Sequence, residues 1–486
     1  MKSRKNLWQY TVILSILNIF FITAQTSHNQ NIYADFNFSR NDTTHDKWTK
    51  SIEIITPRLR TVITDDTKIT LRAPGMNRVY AYCWQQPTTG QPNKWGHDVN
   101  LTPGGIETKG AEKVSFVFPA RDFPYGPTNI RIYASNNEGK KDVFELQLYN
   151  KAGKKWNYGI PDTVPSQAKV LKLVFEDDFD NELSISNDGK NARYCAHKPR
   201  YGDFSGWPFS DVDGSDNPFE QVDTYLKIKA RKRAGTKGSS GLISSVNMDG
   251  EGFFTKAPCY LECRFTAQSA PGTWPAFWTL TSIDRGLNGD ELDIVEAYGG
   301  VGKGNPNHPG YSGYSITSHF WGQKEPDGTY KKRFNKRVPI MELGGKSYWS
   351  TTFHTYGLYV GRDETIYYFD GIEVLRHTTN DISKEKPLFF LINYAIGGIS
   401  GWPIDLERFG NASDMYVDYV RVFAENDIQY SIPLPEKKKK IKITNPINHE
   451  KQTVILRNHF PRSRFDIMPY QRFCKIPIRQ QENRVG

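Results

Sequence analysis

Cysteine is scarce in this chain of 486 residues: Cys83, Cys195, Cys259, Cys263 and Cys474 are all it has. An odd count excludes a framework in which every thiol is paired within the chain, and the length excludes a disulfide-stapled miniprotein. Cys259 and Cys263 lie in a strand-like segment, on one face but ~13 Å apart at strand rise, too far to bridge each other. No histidines beside them complete a zinc pattern. Long apolar runs are missing as well. The stretch from Val12 to Ile22 is broken by Ser15 and Asn18 and falls short of the ~20 residues that a span needs, which excludes a polytopic membrane protein. A basic start, that short apolar stretch and Thr23-Ala24 before a polar run predict an export signal over 1–24, with an uncleaved anchor as the competing reading. A secreted, periplasmic or cell-surface protein is expected, with no membrane span in the mature chain. No cysteine follows the apolar stretch, so lipid attachment there is excluded.

Cationic charge is confined to the ends. The net charge is +10, but residues 436–486 carry +9 and residues 1–24 carry +3, so the stretch between them stands at −2. A slightly acidic body gives no steering field for a polyanion, and no nucleic-acid partner is expected.

What the sequence has in quantity is aromatic residues, 13% of the chain, which is too many for disorder and suits strands. Residues 25–50 read as a polar linker. From 51 to 150, alternation at Val114, Phe116, Phe118, at Ile130, Ile132, Ala134 and at Phe144, Leu146, Leu148 predicts short strands, separated by turn clusters such as Asn136-Asn137-Glu138-Gly139. Such spacing suggests an immunoglobulin-like β-sandwich. A Gly- and Pro-bearing linker over 151–169 leads to a second β-rich unit over 170–425, and a basic tail over 426–486 reads as a solvated extension. The fold class is therefore all-β, in two domains.

The chemistry gathers at Asp290-Glu291-Leu292-Asp293-Ile294-Val295-Glu296-Ala297-Tyr298. In a regular strand Glu291 and Asp293 share a face and Glu296 points to the other. A one-residue β-bulge would restore Glu296 to the first face and send Leu292 and the Ile294/Val295 pair into a core. Three carboxyls in a row repel one another unless they share protons. Two carboxyls flanking a glycosidic bond use such a row: one attacks the anomeric carbon, while the other protonates the leaving oxygen and then activates water. The competing reading is a salt-bridged surface strand.

These residues resemble glycoside hydrolase family 16, the laminarinase, lichenase, agarase and carrageenase group, in its bulged-strand ExDxxE branch. The resemblance extends along the chain. Val174 to Asp180 is similar to the opening strand, Ser240 to Ser245 to the segment before the approach strand, and Pro271-Gly272-Thr273-Trp274-Pro275-Ala276-Phe277-Trp278 to the G-x-W-P-A-x-W run upstream of the acids. Phe353 to Gly357, Tyr368 to Gly371, Leu391 to Gly398 and Met415 to Val422 follow in the family's order.

The resemblance implies a concanavalin A-like β-jelly-roll with an open cleft and retention of anomeric configuration. It makes Glu291 the nucleophile, Glu296 the acid/base and Asp293 the assisting acid. Trp274, Trp278, His319, Trp321 and Trp402 become candidates for substrate contact. Asp418 matches a position that in several members helps hold a structural calcium, and no cofactor is required for the chemistry. The expected partner is a polysaccharide, cleaved internally by a monomer. A β-1,3- or mixed-linkage glucan is the first expectation. A β-galactan of agarose, porphyran or carrageenan type and a mucin-type glycan stay open, because Asp284 to Asp290 departs from the glucan-cleaving pattern and the loop from Ala196 to Val222 is long. Transglycosylation with the same acids and a non-catalytic glycan-binding role are the other readings.

Overall fold

A computed structural model describes residues 49–425 apart from 84–98, 110–112, 156–159, 162, 201, 203, 234, 236, 283–287, 300–312, 341–351 and 399–403. The expected export signal, most of the first linker, the basic tail, Cys474 and Trp402 lie outside the described residues. Cys83, Cys195, Cys259 and Cys263 are all buried.

Alternation decides the first domain. In Val114–Phe118, Val114, Phe116 and Phe118 turn inward while Ser115 and Val117 face outward. Ile130, Ile132, Ala134, Leu146 and Leu148 are fully or almost fully buried in the same core. Burying such faces requires a second layer. The layers are a three-stranded sheet of Glu53–Thr56, Thr67–Arg72 and Val114–Phe118, and a six-stranded sheet built on Arg78–Cys83, Gly126–Ser135 and Lys141–Asn150. The domain is a two-sheet β-sandwich, and its strand order goes no further towards the immunoglobulin-like expectation.

The second domain is a jelly-roll sandwich of two eight-stranded sheets. One sheet centres on Ala412–Ala424, which pairs with Lys172–Asp177, Tyr225–Arg231 and Cys259–Ala267. The other runs through Leu242–Ser244, Phe389–Ile396, Thr273–Leu280, Gly289–Glu296 and Gly313–Trp321 to the edge strand Phe334–Pro339. One large apolar core fills the space between them. A second apolar layer, with Trp274, Trp278, Tyr298 and Leu391, lies on the far face of the acid-bearing sheet.

The two domains are joined by a buried charge cluster. Arg60 donates to Asp414 Oδ2 at 2.8 Å, Arg231 pairs with Asp414 Oδ1 at 2.6 Å, and the Asp414 side chain is buried. Burial alone would raise the Asp414 carboxyl, but the two guanidiniums outweigh it and hold the group below its ordinary value. Tyr149 of the first domain packs with Phe353 and Tyr416 of the second, and Tyr125 donates to Asp223 at 2.6 Å.

Candidate active site

The acid strand Gly289–Glu296 lies between Thr273–Leu280 and Gly313–Trp321. Asp293 stands opposite Trp278 and Val295 opposite Phe277. On the other side Asp293 faces Thr317 and Glu296 faces Ser315. Two residues, Ile294 and Val295, therefore oppose Ile316 alone, and the register shifts between Asp293 and Glu296. Leu292, Ile294 and Val295 all enter the core between the sheets. This is the bulge expected from the acid spacing. A strand with two apolar residues between its last acids, packed on an apolar core, buries both only by spending one extra residue there.

The acids meet specific partners. Trp321 Nε1 donates to Glu291 Oε2 at 3.1 Å. The Trp321 ring stacks on His319 with centroids 4.7 Å apart and planes 9° from parallel, and His319 Nε2 lies 3.5 Å from Asp293 Oδ2. Ligand-type atoms of Glu291, Asp293 and His319 all fall within 4.8 Å of one another. By distance these three could hold a metal ion, and they could equally surround a sugar carbon. Tyr298 donates its hydroxyl to Glu296 Oε1 at 2.7 Å.

Burial and crowding set the protonation states. Burial first, then the charges of Glu296 and Glu291, push Asp293 well above the ordinary carboxylate range, with Arg333 opposing. Burial and Glu291 push Glu296 up to about 7, against hydrogen bonds from Tyr298, Trp274 and Thr317. Near neutral pH Glu296 is therefore able both to give and to take a proton, which general acid/base chemistry requires. The same burial and crowding favour the protonated form of Asp293, which has two carboxyl neighbours to share a proton with.

The remaining expected contacts separate into three groups. His319 and Trp321 stand at the acids. Trp274 and Trp278 are buried, 3% and 7% exposed. Phe204 packs edge-on against both rings, and Tyr298 stacks on Trp274. Sugar stacking on either indole would require these covers to give way. Trp278 donates to Asn393 Oδ1 at 2.8 Å, and Asn393 donates to the Trp274 carbonyl at 3.2 Å. Asp418 forms the third group, on the opposite sheet: its Oδ2 accepts from Arg264 at 2.7 Å. One of its two carboxylate oxygens is thus engaged by a guanidinium.

Sequence reasoning gave no role to Tyr298, Asn393, Phe204 or Arg333. Tyr298 and Asn393 belong to the matched segments, and their spacing from Glu296 and Ile396 is the signal that was available. Phe204 belongs to the long loop, which is pinned beside the site. Ser205 Oγ donates to the Ile396 carbonyl at 3.1 Å, and a Cβ on Gly398, which has a positive φ of 85°, would collide with the Phe204 carbonyl.

Residues 212–421 match the model of glycosyl hydrolases family 16. The endo-1,3-1,4-beta-glycanase EglC of Rhizobium meliloti (strain 1021) is 28% identical over 278 residues, which is 52% of this chain and 52% of that protein. The endo-1,3-1,4-beta-glycanase ExsH of the same organism is 26% identical over 274 residues, again 52% of each chain. The chain thus spans about half the length of these curated relatives. The crystal structure of laminarinase from Flavobacterium sp. UMI-01 aligns with a TM-score of 0.38 and 23% identity, covering 52% of this chain and 100% of that one. The matched segment spans the bulged strand, its flanking strands and all three acids, so the likeness to glycosyl hydrolases family 16 is carried by residues 212–421 of the second domain.

Proposed function

We propose that the protein is an exported, retaining endo-glycosidase that hydrolyses internal β-glycosidic bonds of a polysaccharide. The observation that carries this reading is the row of Glu291, Asp293 and Glu296 on one bulged strand, with Glu296 held at about 7. The Glu291 carboxylate attacks the anomeric carbon while Glu296 gives its proton to the departing glycosidic oxygen, leaving a glycosyl ester on Glu291. Glu296, now a carboxylate, takes a proton from water as that water attacks the same carbon, and Glu291 leaves as a carboxylate. Two inversions amount to retention. Asp293, whose protonated form burial and its neighbours favour, would support Glu291 by hydrogen bonding as charge leaves and returns.

The names of the relatives favour a β-1,3- or mixed-linkage glucan backbone as the first substrate, with a β-galactan or a mucin-type glycan as the alternative. No described helix is long and apolar enough to cross a membrane. The test is a reducing-end assay on laminarin, lichenan, agarose, porphyran, carrageenan and mucin glycans, with Glu291→Gln alongside. Release from one polymer that disappears in the variant is the expected result. Binding without release across the panel would replace this reading by a glycan-binding one, and products longer than the substrate would replace hydrolysis by transfer.

A further inference from the structure

We propose that the polysaccharide taken by this face carries anionic substituents, sulfate esters or carboxylates, and that Arg333 at the edge of the acid-bearing sheet contacts one of them. The proposal rests on reading that face as a polysaccharide site, and it names the substituent chemistry, whatever the backbone.

The argument begins with parity. The edge strand Phe334–Pro339 pairs with Gly313–Trp321, setting Asn335 opposite Thr317 and Arg337 opposite Ser315. Thr317 and Ser315 are the residues opposite Asp293 and Glu296. In a sheet, directly opposed residues share a face, so Asn335 and Arg337 belong to the face of the acids. Val338 and its partner Tyr314 enter the core on the other side. Arg333 immediately precedes the strand, whose first residue Phe334 stands opposite Ser318, so it lies beside the strand end that presents His319 and Trp321, and the same alternation continued by one residue sets it on the side of Asn335.

Electrostatics agree with this placement. The Arg333 guanidinium is near enough to oppose the rise of Asp293 and of the Tyr298 hydroxyl. Yet Arg333 is exposed, and no hydrogen bond or ion pair fixes it among the described residues. Its surroundings are cationic. Residues 324–337 hold six Lys or Arg against two acids, in a chain whose stretch between the two basic ends is slightly acidic. Lys331 is held by Asn380, and Lys336 donates to the Val374 carbonyl at 2.7 Å, away from the acid face. Within the strand that leaves Arg337 as the charged group turned towards the acids, with Arg333 one residue before its first position. A neutral glucan gives a planar fork of donors no charged partner, whereas a sulfate or carboxylate accepts it in bidentate fashion.

The experiment uses the full chain carrying Glu291→Gln, so that polymers are bound without being cut. Affinity gel electrophoresis compares carrageenan, the same carrageenan after chemical desulfation, polygalacturonate and laminarin, at low and moderate salt. The expected result is retention by a charged polymer that exceeds retention by its uncharged counterpart and falls as salt rises. Adding Arg333→Gln should lower that preference about tenfold, and Arg333→Lys should keep part of it. Preference for carrageenan over polygalacturonate identifies sulfate as the group, and the reverse identifies carboxylate. Thermal unfolding of each variant confirms that an exposed residue was changed without loss of fold. Equal retention of sulfated and desulfated polymer, or a preference that Arg333→Gln leaves intact, overturns the proposal. The failure of the two readings is distinguishable. Cleavage of laminarin by the unsubstituted chain with no anionic preference defeats this inference alone. Anionic preference with no cleavage of any polymer defeats the hydrolase reading and leaves this one standing.

Discussion

Tyr298 and Glu296 are tied by a hydroxyl that donates to Oε1 at 2.7 Å, from a tyrosine whose ring also lies against Trp274 with centroids 5.1 Å apart. The bond favours the charged form of Glu296, so it works against burial and Glu291, which drive the carboxyl up. With Glu296 as the proposed acid/base, its working range is drawn downward by a residue that need not touch the scissile bond.

Tyr298→Phe removes that donor and keeps the ring. The Glu296 pKa should rise from about 7 by roughly one further unit. Since the acid must be protonated to act, the alkaline limb of kcat/KM moves to higher pH while the acid limb stays in place. A pH–rate profile of the two proteins checks this, and an unmoved alkaline limb rejects the assignment of Glu296 as the acid.

Glu296→Gln cannot protonate a leaving oxygen. On polysaccharide kcat/KM should fall by ~10²–10⁴. On a dinitrophenyl glycoside, whose leaving group departs without a proton, glycosylation of Glu291 should proceed with a much smaller loss, and added azide should restore turnover. Equal losses on both substrates would reverse the assignment of Glu291 and Glu296.

Asp290, next to Glu291, points away from it and is buried. It accepts from Gln323 at 2.6 Å, from Asn380 at 2.8 and 2.9 Å, and from the Ser383 hydroxyl at 2.6 Å. Asp290→Ala would strand these donors, and we expect a stability loss of about 2–4 kcal/mol in urea unfolding. Replacing the exposed Asp327 by Ala should change stability by less than about 0.5 kcal/mol.

Arg60→Ala leaves the buried Asp414 with Arg231 as its neighbouring guanidinium. The cost should be about 1–3 kcal/mol, below that of a fully broken buried pair because one partner remains. The sign of the pH effect follows from the depressed Asp414 carboxyl. Its contribution is present above the unfolded value of about 3.9 and is lost as pH falls through the folded one. Arg60→Ala should therefore flatten the acid side of the stability curve, which a urea series between neutral pH and the acid limb will show.

Much of this architecture is legible in the sequence, for definable reasons. Alternation at Val114, Phe116 and Phe118 reports a strand because one face must be dry. The interval from Asp293 to Glu296 reports the bulge because Ile294 and Val295 both need the core. Other features are illegible because they depend on long-range register. Arg60 and Asp414 are far apart in the sequence, and no local pattern connects a polar residue to a partner in another domain. Phe204 comes from a loop whose course is set by Gly206, Gly397 and Gly398 packed against one another, so the covering of Trp274 and Trp278 was invisible in a run that reads as cleft aromatics. Arg333 looks like one cation among several until pairing fixes which face it occupies. Asp418 shows the converse: a motif match gave the position, and the Arg264 ion pair showed what that carboxylate does.

Asp414 lies on Ala412–Ala424, the strand at the centre of one jelly-roll sheet, and its carboxylate is grasped by Arg60 from the other domain. A module hung on a slack tether raises the local concentration of its neighbour by sweeping through a volume. Here the leading sandwich shares a charge with the middle of the jelly-roll scaffold, so a direct contact and not a tether alone holds the two together. Grafting either domain onto a foreign partner would expose Tyr149 on one fragment, or Tyr416 and Phe353 on the other, so the practical unit for engineering is the pair.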